Sequence, residues 1–94
     1  LTENTNIPNR EKFLSVCSST LERISTRAPS DNEVILTIDY DGEHFFLEIE
    51  MVSSDLVFSI LAQAKSPFVA LDKGLKDSLD RINKWLTLRQ IRSA

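Results

Sequence analysis

EVILTIDYDGEHFFLEIEMVSSDLVFSILAQAK, residues 33–65, decides the fold of this 94-residue chain. It reads as three antiparallel strands. In the first, Val34, Leu36, Ile38 and Tyr40 point one way, and Ile35, Thr37 and Asp39 point the other. That alternation is the period of a half-buried strand. Asp41-Gly42 then stands between two alternating runs, and both residues tolerate the positive φ of a two-residue hairpin turn. A turn there sets Tyr40 opposite Glu43, Ile38 opposite Phe45, Leu36 opposite Leu47 and Val34 opposite Ile49. A second turn at Ser53-Ser54 sets Met51 opposite Leu56, Ile49 opposite Phe58, Leu47 opposite Ile60 and Phe45 opposite Ala62. Ser-Ser is a poor two-residue turn, and a longer loop over residues 52–55 keeps the same parity. In every case the apolar residues share one face, because only an odd slip turns a strand over.

Two flanking segments carry helical periodicity. Phe13, Cys17, Leu21 and Ile24 recur at spacings of three and four, which predicts an amphipathic helix over residues 10–27 with Asn9 as its cap. Ser66-Pro67 is a strong helix start, since Ser accepts bonds from free amides and Pro fits the first turn. Phe68, Leu71, Leu75, Leu79, Ile82 and Leu86 follow as one stripe, with Trp85 at its edge. Gly74 interrupts that helix at a cost of about 1 kcal/mol relative to Ala, and a close approach to a strand would explain it. Both stripes need an apolar partner, and the sheet face from Val34 to Ala64 is the one available. The expected architecture is therefore α+β: a two-layer sandwich in α-β-β-β-α order, a three-stranded antiparallel sheet covered on one face by two helices. Residues 1–8 are expected to be a frayed end or at most a short edge strand, and residues 89–94 to fray.

Composition narrows the function classes. The chain is of single-domain size, 41% apolar and 27% charged, with no run near the roughly 20 apolar residues of a membrane span. The opening residues have no basic-then-apolar leader, and a lone cysteine suits a reducing compartment, so a cytoplasmic location is expected. Only two glycines are present, so there is no phosphate-binding glycine loop, and no Cys/His spacing fits a metal. No cofactor and no enzymatic activity are expected. His44, placed by the predicted register between Asp39 and Gln63 on the outer sheet face, has no nucleophile or acid motif beside it and reads as a surface histidine. Cys17 lies on the helix stripe and reads as core.

Two features point to binding. The outer sheet face carries Ile35, Phe46, Val52, Val57 and Leu61, with Phe46 expected directly across from Leu61; such a patch suits a protein contact, including a homodimer. The charge is also uneven. Residues 1–64 hold four basic and eleven acidic side chains, a balance of −7, whereas residues 65–94 hold seven and three, a balance of +4. Lys65, Lys73, Lys76, Arg81 and Lys84 of that second part can follow a phosphate backbone. The competing reading is a solvated helix face laced with Asp77–Arg81 and Asp80–Lys84 pairs.

The segment LVFSILAQAKSPFVALDKGLKDSLDRINKW, residues 56–85, resembles the last strand and last helix of the ribosome hibernation-promoting factors, also called ribosome-associated inhibitors. In that family a strand leads to an aromatic-x-Ala-aliphatic-Asp helix start, here Phe68-Val69-Ala70-Leu71-Asp72, and then to a long basic helix. EKFLSVCSSTLERI, residues 11–24, is similar to the family's first helix, above all at Leu21-Glu22-Arg23. The resemblance spans about residues 10–86. It implies a β-α-β-β-β-α fold and binding to small-subunit ribosomal RNA through basic residues of both helices, to silence translation. On this chain those are Lys65, Lys73, Lys76, Arg81 and Lys84, with Arg23 and Arg27 on the first helix. The alternative expectation is an acidic protein-binding module, dimeric and chaperone-like or an inhibitor, that uses the outer sheet face at Ile35, Phe46, Val57 and Leu61.

Overall fold

The strands form where alternation demands them: β2 (Glu33–Tyr40), β3 (Phe45–Val52) and β4 (Phe58–Ala64), two antiparallel hairpins in succession. The computed structural model describes residues 2, 3, 7 and 9–93 of the chain. A two-residue strand, β1 (Thr2–Glu3), adds to the sheet in parallel beside Thr37 and Ile38, giving the order β1-β2-β3-β4. Helices α1 (Arg10–Arg27) and α2 (Pro67–Ser93) complete the chain. The α+β sandwich expected from the sequence is the observed one, with the short N-terminal strand present.

The register differs from expectation by two residues in both hairpins. The first turn is wider than Asp41-Gly42. The Asp41 carboxylate accepts the backbone N–H groups of Glu43 and His44, at 2.9 and 2.8 Å, and Gly42 takes a φ of 100°. An aspartate side chain satisfying two amides makes a four-residue loop self-sufficient, so pairing resumes at Phe45. Tyr40 therefore faces Phe45, Ile38 faces Leu47 and Leu36 faces Ile49. In the second loop the Ser53 hydroxyl bonds both the N–H and the C=O of Leu56, at 2.9 and 2.8 Å, and Met51 faces Phe58. A shift of two leaves every side chain on its expected face, which is why the core survives it.

That core is Leu36, Ile38, Phe45, Leu47, Ile49, Met51, Phe58 and Ile60 from the sheet, with Phe13, Cys17 and Ile24 from α1. Tyr40, expected inside, is exposed and stacks on Phe45 with ring centroids 4.5 Å apart. Asn9 precedes α1 in a left-handed conformation and makes no capping bond with its side chain, contrary to the expected cap. Instead the α1–β2 loop is tied by Asn32, whose side-chain amide donates to the carbonyls of Ser25 and Pro29.

Helix α2 packs on β3 and β4, and α1 packs on α2 and β2. Small residues share the buried face of α2 with Leu71, Leu75 and Ile82 of its large apolar stripe. Ala70, Gly74, Ser78 and Ile82, each four residues on from the last, are all buried, while Phe68, Leu79 and Leu86 are only half-buried at its flanks. Small side chains along an i, i+4 ridge let the helix axis sit close to the strands. A Cβ on Gly74 would lie 2.8 Å from Leu47 Cδ2 and 2.9 Å from Ile49 Cδ1, so glycine is what this approach requires.

At the chain ends, β1 is the short edge strand that the sequence allowed. Ile7 is buried in the core, and α2 continues to Ser93. The remaining residues of the expected frayed ends, 1, 4–6, 8 and 94, lie outside the described residues.

Candidate nucleic-acid interface

β4 is an edge strand of the sheet, and α2 packs against it. This seam collects most of the expected cations. Lys65 follows β4 directly and lines a shallow depression together with His44 and Lys73. The Lys73 ammonium donates to the Gln63 carbonyl at 3.2 Å, which holds its charge against the strand edge. At the other end of β4, Arg81, Lys84 and Arg89 line a larger cleft of about 630 Å³ with Trp85. The two groups are separated by the length of β4, whose seven residues extend over about 20 Å.

The remaining predicted cations do not join them. Lys76 is paired with Asp72 at 2.9 Å. Asp72 lies in the depression between α1 and α2, and Arg23 lines the same depression. Arg27 occupies the last turn of α1, where a cation complements the helix dipole. The single set spanning both helices is thus divided: Lys65, Lys73, Arg81 and Lys84 along the strand edge, and Lys76, Arg23 and Arg27 on the helical side. Of the expected ion pairs, Asp80–Lys84 forms at 3.2 Å with both side chains exposed, so it is weak. Asp77 and Arg81 form no ion pair among the described residues.

Two residues of the cleft were not expected to carry function. Arg89, assigned to a frayed end, places its guanidinium 5.0 Å from the centroid of the Trp85 ring. Trp85, assigned to edge packing, is half-buried with that ring in the cleft. The signal was present as spacing: Arg81, Trp85 and Arg89 recur every four residues and therefore share one helix face.

The outer sheet face is mixed rather than apolar. Ile35 and Phe46 are partly exposed on it, and Leu61 is 76% exposed. Phe46 faces Gln63 and Leu61 faces Glu48, so the expected Phe46–Leu61 pair is diagonal and not direct. Val57 precedes β4 and lines the Trp85 cleft. His44 lies in the first turn and not in β3. Carboxylates break the face at its centre. The Ser59 hydroxyl donates to Glu48 at 3.2 Å, and a hydrogen bond and repulsion from Glu48 raise the carboxyl of Glu50 above its ordinary value.

These features define a small α+β domain with a cationic strand-edge seam on one side and an acidic, partly apolar sheet face on another. Among the described residues no group of three His, Cys, Asp or Glu side chains gathers to hold a metal, and no helix is long and apolar enough to cross a membrane. Comparison with protein-family models and with curated proteins finds no match for the chain.

Proposed function

We propose that the chain is a non-enzymatic binding domain for small-subunit ribosomal RNA, inhibiting translation by occupying RNA sites through charge and shape. The observation that carries this reading is the seam. Lys65 and Lys73 at one end of β4 and Arg81, Lys84 and Arg89 at the other make a cationic row along an exposed edge. At about 3.4 Å per nucleotide step, the intervening 20 Å or so spans about six steps of a strand. The element order β-α-β-β-β-α is the one the hibernation-factor resemblance implies, and it supports the reading only at the level of fold. A ribosomal partner carries with it a cytoplasmic location.

The test is co-sedimentation with ribosomal small subunits across a salt series. Each phosphate contact adds about 0.7–0.9 to the log–log salt slope, so five contacts give a slope near 4. Lys73→Glu and Arg81→Glu are expected to weaken binding and flatten the slope. Lys76→Glu, on the far side of α2 and already paired with Asp72, is expected to do much less. Equal effects of all three, or binding indifferent to salt, would remove the seam from the account.

A second reading, a protein-binding module, is favoured by the exposure of Ile35, Phe46, Val52 and Leu61 on the outer sheet face. It predicts a dimer or complex that Phe46→Asp abolishes, with no effect of Lys73→Glu.

A further inference from the structure

The Trp85 cleft has more than positive charge. Its volume of about 630 Å³ lies within the range of about 300–1,000 Å³ typical of small-ligand pockets. Leu56, Phe58 and the indole of Trp85 line the cleft beside the cations. The Arg89 guanidinium lies over one face of that indole, 5.0 Å from the ring centroid, so the ring already serves as a stacking plane for a flat cation. Arg81 stands one turn back on the same face of α2, with no ion pair among the described residues. Asp55 lines the opposite rim and is the one acid among three cations.

Deepening the RNA-binding reading, on which this rests, we propose that the cleft takes a single unpaired nucleotide. The base stacks on Trp85, either displacing Arg89 or lying between indole and guanidinium, as unpaired bases do on aromatic and guanidinium planes. The phosphate pairs with Arg81. The Asp55 carboxylate accepts hydrogen bonds, so it favours cytosine, which presents an amino group at position 4, over uracil, which presents a carbonyl oxygen there that the carboxylate repels. Stacking alone is indifferent to sequence; the carboxylate across the cleft supplies the preference.

Trp85 is the only tryptophan in the chain and reports on its own cleft. The full chain is titrated with hexacytidylate and with hexauridylate, following tryptophan fluorescence. A saturable change is expected, tighter for hexacytidylate, with a midpoint that rises steeply with salt. By anisotropy of the labelled oligonucleotide, Trp85→Leu is expected to bind about ten- to hundredfold more weakly. Arg81→Glu, at an exposed position, gives the same direction with Trp85 still in place should the leucine variant fold poorly. Asp55→Asn is expected to abolish the cytidine preference. Fluorescence unmoved by saturating oligonucleotide, while small subunits still co-sediment, overturns the nucleotide site and leaves the ribosomal reading standing. A saturable change without co-sedimentation supports the site and overturns the ribosomal partner.

Discussion

Gly74→Ala brings two opposed effects into one measurement. Replacing glycine by alanine inside a helix is worth about 1 kcal/mol in propensity. Against that, the new Cβ would meet Leu47 Cδ2 at 2.8 Å and Ile49 Cδ1 at 2.9 Å. Both side chains are essentially inaccessible, so neither can swing into water to make room. Overfilling a packed interior in this way costs about 1–3 kcal/mol. The net expectation is a loss of about 1 kcal/mol, or about 4–8 °C in Tm for a domain of this size. Urea denaturation followed by far-UV circular dichroism measures it. The specific cause is tested by Ile49→Val, which removes the Cδ1 atom in the way. Alone it costs about 0.5–1.5 kcal/mol. In the Gly74→Ala background it should cost less by about 0.5 kcal/mol or more, because it relieves the clash. If Gly74→Ala raises the midpoint, or the two changes simply add, the close approach of α2 to β3 is not what holds glycine at this position.

Three further expectations concern single side chains. Ser78 is fully buried and its hydroxyl has no hydrogen-bond partner, so Ser78→Ala should stabilise the fold by about 1 kcal/mol, and a loss on denaturation would disclose a hidden partner. The N–H groups of His44 and then Glu43 hold the Asp41 carboxyl below its ordinary value. Such a group stabilises the fold above its unfolded pKa and stops doing so as the pH falls through its folded one. The midpoint gap between the parent chain and Asp41→Ala should therefore be full at neutral pH and close only in acid below the usual aspartate range; a gap constant with pH refutes the role of the carboxylate in the turn. Cys17 is buried at 1% exposure, so a thiol reagent should modify it only as fast as the fold opens, and rapid labelling of the native chain would contradict its place in the core.

The seam itself was half legible. Charge balance pointed to residues 65–94, and the i, i+4 spacing of Arg81, Trp85 and Arg89 was there to read. What spacing along one helix does not convey is which side of that helix faces a strand edge and which faces another helix. Lys73 and Lys76 are three residues apart, yet one bonds the β4 edge and the other pairs with Asp72 on the side facing α1.

By itself, the sequence determined the elements and their faces. Alternation from Val34 to Ala64 sorted inside from outside, and the apolar spacing placed α1 at its observed bounds. Both follow from local geometry, because a strand repeats every two residues and a helix every 3.6 or so. Register, β1 and the helix–sheet contact were decided by the tertiary structure. Parity cannot distinguish registers two residues apart, and only the bonds of Asp41 and Ser53 within their loops choose one. A two-residue strand has no periodicity to detect and exists because β2 offers it an edge. The ridge of Ala70, Gly74 and Ser78 stays hidden in any search for large apolar residues, since closeness between a helix and a sheet is bought by the side chains that are absent.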